Sequence, residues 1–522
     1  MKNNQKSRAV LEAGLANNAM QYDLVPYESK PFTQSQPSRL AAIAKIFGLA
    51  SAPLSTARVL ELGCASGGNI LPLALQHPKA QFVGIDISRQ QVATGRARIE
   101  KLGLKNIELQ CKSLTELDQS LGEFDYIIAH GVYSWVPEEV QDAILEIASK
   151  HLSENGLAYV SYNVLPGWRI NQPLRDAFLS LLPETMGAAN RLANALDMAQ
   201  FLKAGSAGRG AYGQAVATWA DQLGQMPPDY IAHEYLEPCN EPCTFVQFAN
   251  RVAANGLAYL GDSDFHTMIL EHLPPTIVEG VRQRCGNNLQ ATEQMMDLLS
   301  GRTFRQSILV NAKRAGAINR NLSADVLDDL HLMAPSNVTL TTQDGITTFT
   351  LAGRQSFTIT SEAMKKAIQA FVDNHPASSR VADLAKKADL PEVKQGFYAL
   401  LLAGAVVPLI EPVAKAKPAP KQPVASGLAR LDAESPGGSY TTSPRHEAVQ
   451  LDVASRFLLP KMQGKLSQDE LADALAAEGR AGRIVFTREG KVVESPDDAA
   501  SIAKQHAKQL IDNFAKLGLL AS

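Results

Sequence analysis

The residues with the clearest capacity for chemistry lie in VLELGCASGGN, residues 59–69. An apolar run ends in Glu61-x-Gly63-x-Ala65-x-Gly67, and a helix is expected to begin behind it. Small residues let the backbone approach a ligand closely, and a helix start offers unpaired N–H groups. A second apolar run, QFVGIDI at 81–87, ends in Asp86. A carboxylate there can take both hydroxyls of a ribose. Dinucleotide enzymes share that arrangement, but their fingerprint is GxGxxG, and here Ala65 stands at the second glycine position. The spacing Glu61, Gly63, Ala65, Gly67 fits S-adenosylmethionine better. That cofactor has no pyrophosphate, so its amino acid end takes the glycine turn and Glu61 or a neighbour faces its ammonium. Cys64 and Asn69 inside the turn and Ile87 after Asp86 join the cofactor-binding candidates.

Other contacts follow by position. The loop CKSLTEL after a third apolar run should reach the adenine through Ser113 and Leu114, with Asp118 an alternative to Ser113. His130 should sit beside the transferable methyl, as a wall residue in preference to a base. Methyl transfer is an in-line displacement, so the acceptor lone pair must be aligned and water kept out. An amine acceptor must also arrive unprotonated, which aromatic walls favour by desolvation. Tyr133 and Trp135 in HGVYSWVP, and Tyr162, Asn163 and Trp168 in YNVLPGW, lie where that would matter. Tyr133, Trp135, Tyr162 and Asn163 are the catalytic candidates; the alternative for the aromatic ones is simple packing. Tyr22, with Tyr27, lies in an N-terminal loop that could fold over the cofactor. His233, Cys239 and Cys243 lack the second ligand pair of a zinc site, so no metal is expected. Asn163-Val-Leu-Pro166 differs from the Asn-Pro-Pro motif of nucleobase methylation and reads as a turn.

These residues need a sheet to hold them. Strand-like runs at 59–63, 81–87, 107–111, 124–131 and 157–164 alternate with helical patterns at 88–103 and 137–152. That alternation predicts an open, mostly parallel α/β sheet. Residues 166–241 break it with helices. Strand patterns return at 257–260 and 304–310 and are expected to join the same sheet, making 166–241 and 263–302 helical insertions. The expected organisation is a cap segment at 1–48, a catalytic domain at 49–312, a mixed α/β module at 316–412 and a linker at 413–427. A winged-helix-like domain at 428–522 follows. Within the modules, a hairpin is expected around Asp344-Gly345 and another at 484–494, with helices at 446–463, 467–477 and 498–517. The linker, VAKAKPAPKQPVASG, reads as extended and solvated.

Composition narrows the partners. Fifty basic residues face fifty-three acidic ones over 522 residues, which argues against a nucleic-acid coat. The helix SQDELADALAAEG is acidic and unsuited to a DNA groove, so no nucleic-acid partner is expected. Five cysteines and no visible signal peptide point to a reducing cytoplasm. No run of about eighteen apolar residues is present, so no membrane insertion is expected.

Taken together, YDLVPYESKPF, PSRLAAIAKIFG, ELGCASGGN, GVYSWVP and YNVLPGW resemble one bacterial family. It comprises class I S-adenosylmethionine-dependent methyltransferases with a methyltransferase regulatory domain, including the rickettsial protein-lysine methyltransferases. HEYLEP, FANRVAANGLAYLGD and MMDLLSGRTFRQSIL are similar to the regulatory region, about 215–310. RHEAVQLDVASRFLLP is similar to the C-terminal winged-helix-like module. The resemblance implies a Rossmann-like sheet and a cofactor held by Gly63, Ala65, Gly67 and Asp86. It also implies a protein substrate with lysine acceptors, bordered by the loops at Tyr133–Trp135 and Tyr162–Trp168. Two other readings stay open: a small-molecule O- or N-methyltransferase, and a non-catalytic binding or regulatory protein.

Overall fold

A computed structural model describes residues 29–117, 119–351, 355–488 and 491–521. The first apolar runs become β1 (Arg58–Leu62), β2 (Gln81–Asp86), β3 (Ile107–Cys111), β4 (Phe124–Ala129) and β5 (Leu152–Asn163). Later come β6 (Leu257–Asp262) and β7 (Phe304–Asn311). All seven form one sheet in the order β3-β2-β1-β4-β5-β7-β6. β1 through β5 pair in parallel, and β7 runs antiparallel between β5 and β6. The two late strands thus complete the sheet, and the chain between them and β5 consists of helical insertions.

Local chemistry sets the element ends. Ser88 accepts a bond from Gln91 N and caps the helix α3, and Gly103 ends it in the left-handed region. The helices before it are α1 (Pro37–Ile46) and α2 (Ile70–Gln76); α3 is Arg89–Leu102 and α4 is Glu138–His151. The first insertion carries α5 (Gln172–Leu181), α6 (Ala188–Gly205), α7 (Gly210–Leu223) and α8 (Pro228–Tyr235). It closes over its own apolar centre of Leu174, Phe178, Ala220 and Tyr235. α9 (Phe245–Ala254) precedes β6 and opens with a capping box of Thr244 and Gln247. The second insertion contains α10 (Pro275–Cys285) and α11 (Leu289–Ser300).

Residues 331–409 hold two small antiparallel sheets and three helices. β8 (His331–Met333) pairs with β12 (Val407–Leu409), while β9 (Val338–Gln343), β10 (Ile346–Leu351) and β11 (Ser356–Ile359) form a meander. The helices are α12 (Glu362–Asp373), α13 (Val381–Leu384) and α14 (Leu390–Leu402). This unit shares one continuous apolar core with α1 and one face of the large sheet, from Leu40 and Ile128 through Phe349 to Phe397. The opposite face of the sheet packs under α4 and α9 through Ile144, Phe248 and Leu309.

The last unit has its own core. It comprises α15 (Gly427–Glu434), β13 (Tyr440–Thr442), β14 (Ala448–Gln450) and α16 (Val453–Leu458). α17 (Gln468–Arg480), β15 (Thr487–Arg488), β16 (Lys491–Val492) and α18 (Pro496–Lys516) follow. The expected helix at 446–463 is corrected here. Its first residues form β14, because Asp452 accepts from Ser455 N and starts the helix only at Val453. The expected linker is shorter too: Val424 and Ala425 pair with Gln463 and Leu520, so its last residues belong to this unit. Among the described residues, no helix is long and apolar enough to cross a membrane.

Candidate active site

A cavity of about 550 Å³ opens at the carboxyl ends of β1, β2 and β4. Its floor is the turn after β1. Gly63 and Cys64 donate backbone N–H groups to Ile85 O at 2.8 and 3.1 Å, which bends the chain sharply. Gly63 has φ +72, and a Cβ there would lie 2.3 Å from Val132. Ala65 also adopts positive φ and is held by its N–H, which donates to Asp86 Oδ2 at 2.8 Å. Asp86 Oδ1 accepts from Ser88 N at 2.8 Å. One carboxylate therefore faces the cavity and ties the first turn to the second.

Glu61 is the most unusual group in the site. It is 3% exposed; Oε1 accepts from Asn69 Nδ2 at 2.7 Å, and Oε2 is buried without a partner. Burial, reinforced by the charge of Asp86 and opposed by the Asn69 bond, pushes its carboxyl up to about 8. An orphaned acidic oxygen in a cavity is suited to a cationic donor. The ammonium of S-adenosylmethionine is such a donor, so the residues present fit that cofactor. Asp86 and Ile87 would hold its ribose, Ser113 and Leu114 its adenine, and the turn its amino acid end; all of these line the cavity. When bound, the cofactor supplies an electrophilic methyl on a sulfonium.

A segment on the N-terminal side lies across the turn. Ser29 Oγ accepts from Gly68 N at 2.7 Å, and Phe32 N donates to Asn69 Oδ1 at 3.0 Å. The Phe32 ring stacks on His130 with centroids 3.8 Å apart. His130 is bonded through Nδ1 to Tyr159 OH at 2.9 Å, and burial pushes its pKa down to about 3. A ring so hard to protonate stays neutral.

The remaining wall carries the residues expected on the acceptor side. Trp135 and Trp168 meet edge to face at 6.2 Å and both line the cavity, with Asn163 and Phe304. Asn163 Nδ2 donates to Asn240 Oδ1 at 3.2 Å. Two candidates are corrected: Tyr133 and Tyr162 do not line the cavity. Tyr162 stacks on Phe248 at 4.0 Å and bonds Ser307, and Tyr133 packs edge-on to Phe248. Strand alternation sends Tyr162 into the core beneath α9, opposite to its neighbour Asn163. Gly67 also lies off the cavity lining; its φ of +77 shapes the turn. Tyr22, Tyr27 and Asp118 lie outside the described residues.

Sequence reasoning missed three contributors from α8. Tyr230, His233 and Glu234 line the cavity, and burial raises Glu234 to about 7 despite its bond to Tyr230. The signal was HEYLEP, read as part of the regulatory region, with only His233 weighed singly and then as a zinc ligand. Cys243 instead extends β5: its N–H donates to Asn163 O at 3.2 Å and its carbonyl accepts from Leu165 N at 2.9 Å. Among the described residues, no three His, Cys, Asp or Glu side chains gather as metal ligands. Phe32, Phe304 and His446, described below, were also missed, since nothing local in their sequence marks a ligand.

This strand order, with a lone antiparallel β7 and a cofactor cavity at the carboxyl ends, defines a class I S-adenosylmethionine-dependent methyltransferase. Family models match along the chain: a methyltransferase domain at 54–219, a predicted methyltransferase regulatory domain at 227–311, and the C-terminal winged helix domain of PKMT at 421–519. Uncharacterized protein RP789 of Rickettsia prowazekii is 30% identical over 520 residues, 96% of this chain and 93% of the relative. A shorter protein of that organism, RP028, is 37% identical over 235 residues, 45% of this chain and 94% of its own length. The structure of PKMT2 from Rickettsia typhi in complex with AdoHcy superposes with a TM-score of 0.82 at 27% identity, covering 95% of this chain and 100% of that one. The chain belongs to this rickettsial-type family of methyltransferases with a regulatory domain and a PKMT winged helix.

Proposed function

We propose that the enzyme methylates lysine side chains of a protein substrate in the cytoplasm. The observation that carries this reading is the end-to-end likeness to PKMT2, winged helix included, which extends far beyond the cofactor fold. The site chemistry supports it. Trp135 and Trp168 give the cavity an aromatic wall, and aromatic faces hold an ammonium before it is deprotonated. Burial beside these rings lowers an amine pKa from its ordinary value near ~10.4. All five cysteines are unpaired, in keeping with a reducing compartment. The test is incubation with labelled cofactor and an extended, lysine-containing protein, followed by mass mapping. A mass gain of one or more methyl groups on lysine is expected; label confined to small molecules would overturn the reading.

A further inference from the structure

We infer that the C-terminal winged-helix unit is part of the cofactor site, because its loop Ser443–Glu447 holds Asn69 through His446, and that cofactor binding and docking of the unit are therefore coupled.

The loop joins β13 to β14. His446 sits in it with φ +58 and no solvent exposure. Its Nε2 lies 2.8 Å from Asn69 Oδ1 across 377 residues of chain. The Asn69 amide orientation follows from its partners. Nδ2 donates to Glu61 Oε1 at 2.7 Å and to Ser35 Oγ at 3.0 Å, so Oδ1 must accept. His446 therefore carries its proton on Nε2 and donates. The result is an unbroken line of bonds, His446 to Asn69 to Glu61, ending one oxygen away from the orphaned acceptor in the cavity. Phe32 N of the crossing segment donates to the same Asn69 oxygen, so segment and loop are fastened at one atom.

The contact is built, not incidental. Arg445, 1% exposed, anchors the loop through Pro376 O at 2.9 Å, Ala334 O at 2.5 Å and Glu447. Ser336 Oγ donates to Glu447 at 2.8 Å. Elsewhere on the same interface, Arg98 on α3, the helix that follows Asp86, pairs with Asp432 at 2.6 Å, and Lys30 lies over the Tyr440 ring. The unit thus touches the glycine turn, the crossing segment and the helix after the ribose carboxylate. Anything that fixes Asn69 helps fix Glu61, and linkage makes the effect reciprocal: a ligand that orders Glu61 and Asn69 strengthens the grip on His446. The inference holds whichever acceptor the enzyme uses.

The test uses the full chain with AdoHcy as probe. His446→Leu removes the donor; His446→Gln retains an N–H donor at similar reach. Calorimetry should give about three- to tenfold weaker AdoHcy binding for the leucine variant and substantial recovery for the glutamine variant, the loss of about one hydrogen bond. KM for S-adenosylmethionine should rise while kcat at saturating cofactor holds. Amide exchange on the unaltered protein gives an independent readout that needs no variant: AdoHcy should slow exchange across residues 440–450. Equal slowing in the leucine variant, equal affinity of leucine variant and parent, or no slowing in the parent would each overturn the coupling.

Discussion

Two buried ionisable groups stand at opposite sides of β5, and they are treated in opposite ways. Arg305, on β7, is fully buried and surrounded: its guanidinium meets Glu293 Oε2 at 2.9 Å and Asp297 at 2.9 Å and lies over the Phe245 ring. Arg302 adds a second cation 3.3 Å from Asp297. Glu61, on β1, is nearly as buried but has one amide donor and one empty oxygen. A saturated buried charge fixes architecture; here it staples α11 to the sheet. An unsaturated one is held by the fold at a cost and is relieved by a ligand of opposite charge. The contrast separates a residue of the scaffold from a residue of the site without reference to any relative.

Substitutions can break or sharpen that contrast. Arg305→Leu should have the largest effect, about 3–5 kcal/mol of lost stability in denaturant titration, since Glu293 and Asp297 stay buried without their partner. Its AdoHcy affinity, measured well below the unfolding transition, should change little. Asp86→Ala should weaken cofactor binding by about 1–3 kcal/mol in calorimetry, through lost ribose bonds and release of the Ala65 N–H. Glu61→Gln should weaken it about tenfold, or ~1.4 kcal/mol. It should also remove a pH dependence. With its carboxyl raised to about 8, Glu61 favours the folded, ligand-free protein most when protonated, and that contribution is lost as pH rises from 4.5 through about 8. A cationic cofactor needs the carboxylate, so affinity in the parent should climb over the same rise toward 8 and stay flat in the glutamine variant. Trp135→Ala should shift cofactor affinity least while lowering turnover; an equal collapse of both would assign Trp135 to structure.

The sequence made the parallel strands legible because each carries a short apolar run, and the run of β2 leads into a capped helix, with Ser88 opening α3. It also marked the cofactor turn, where glycine positions and carboxylates are close together in the chain. Tyr162 stayed open between the site and simple packing because strand alternation fixes the face of a side chain only when the buried side is known, and both faces of β5 are buried. His446 was illegible for a different reason. Its partner is 377 residues away, and no local pattern predicts such a contact. The β13–β14 strands escaped notice because three-residue strands carry too little periodicity to stand out from the helix that follows.

That long-range bond has a consequence for how the protein comes into being. The ribosome makes the cofactor turn early, yet β7, which seals the sheet, emerges only after residue 303, and the donor to Asn69 only at 446. A growing chain can assemble β1 through β5 before then, but the turn after β1 gains its bond from His446 only once that residue has been made. On the coupling proposed above, full affinity for the methyl donor waits for a residue made 377 positions after the one it holds.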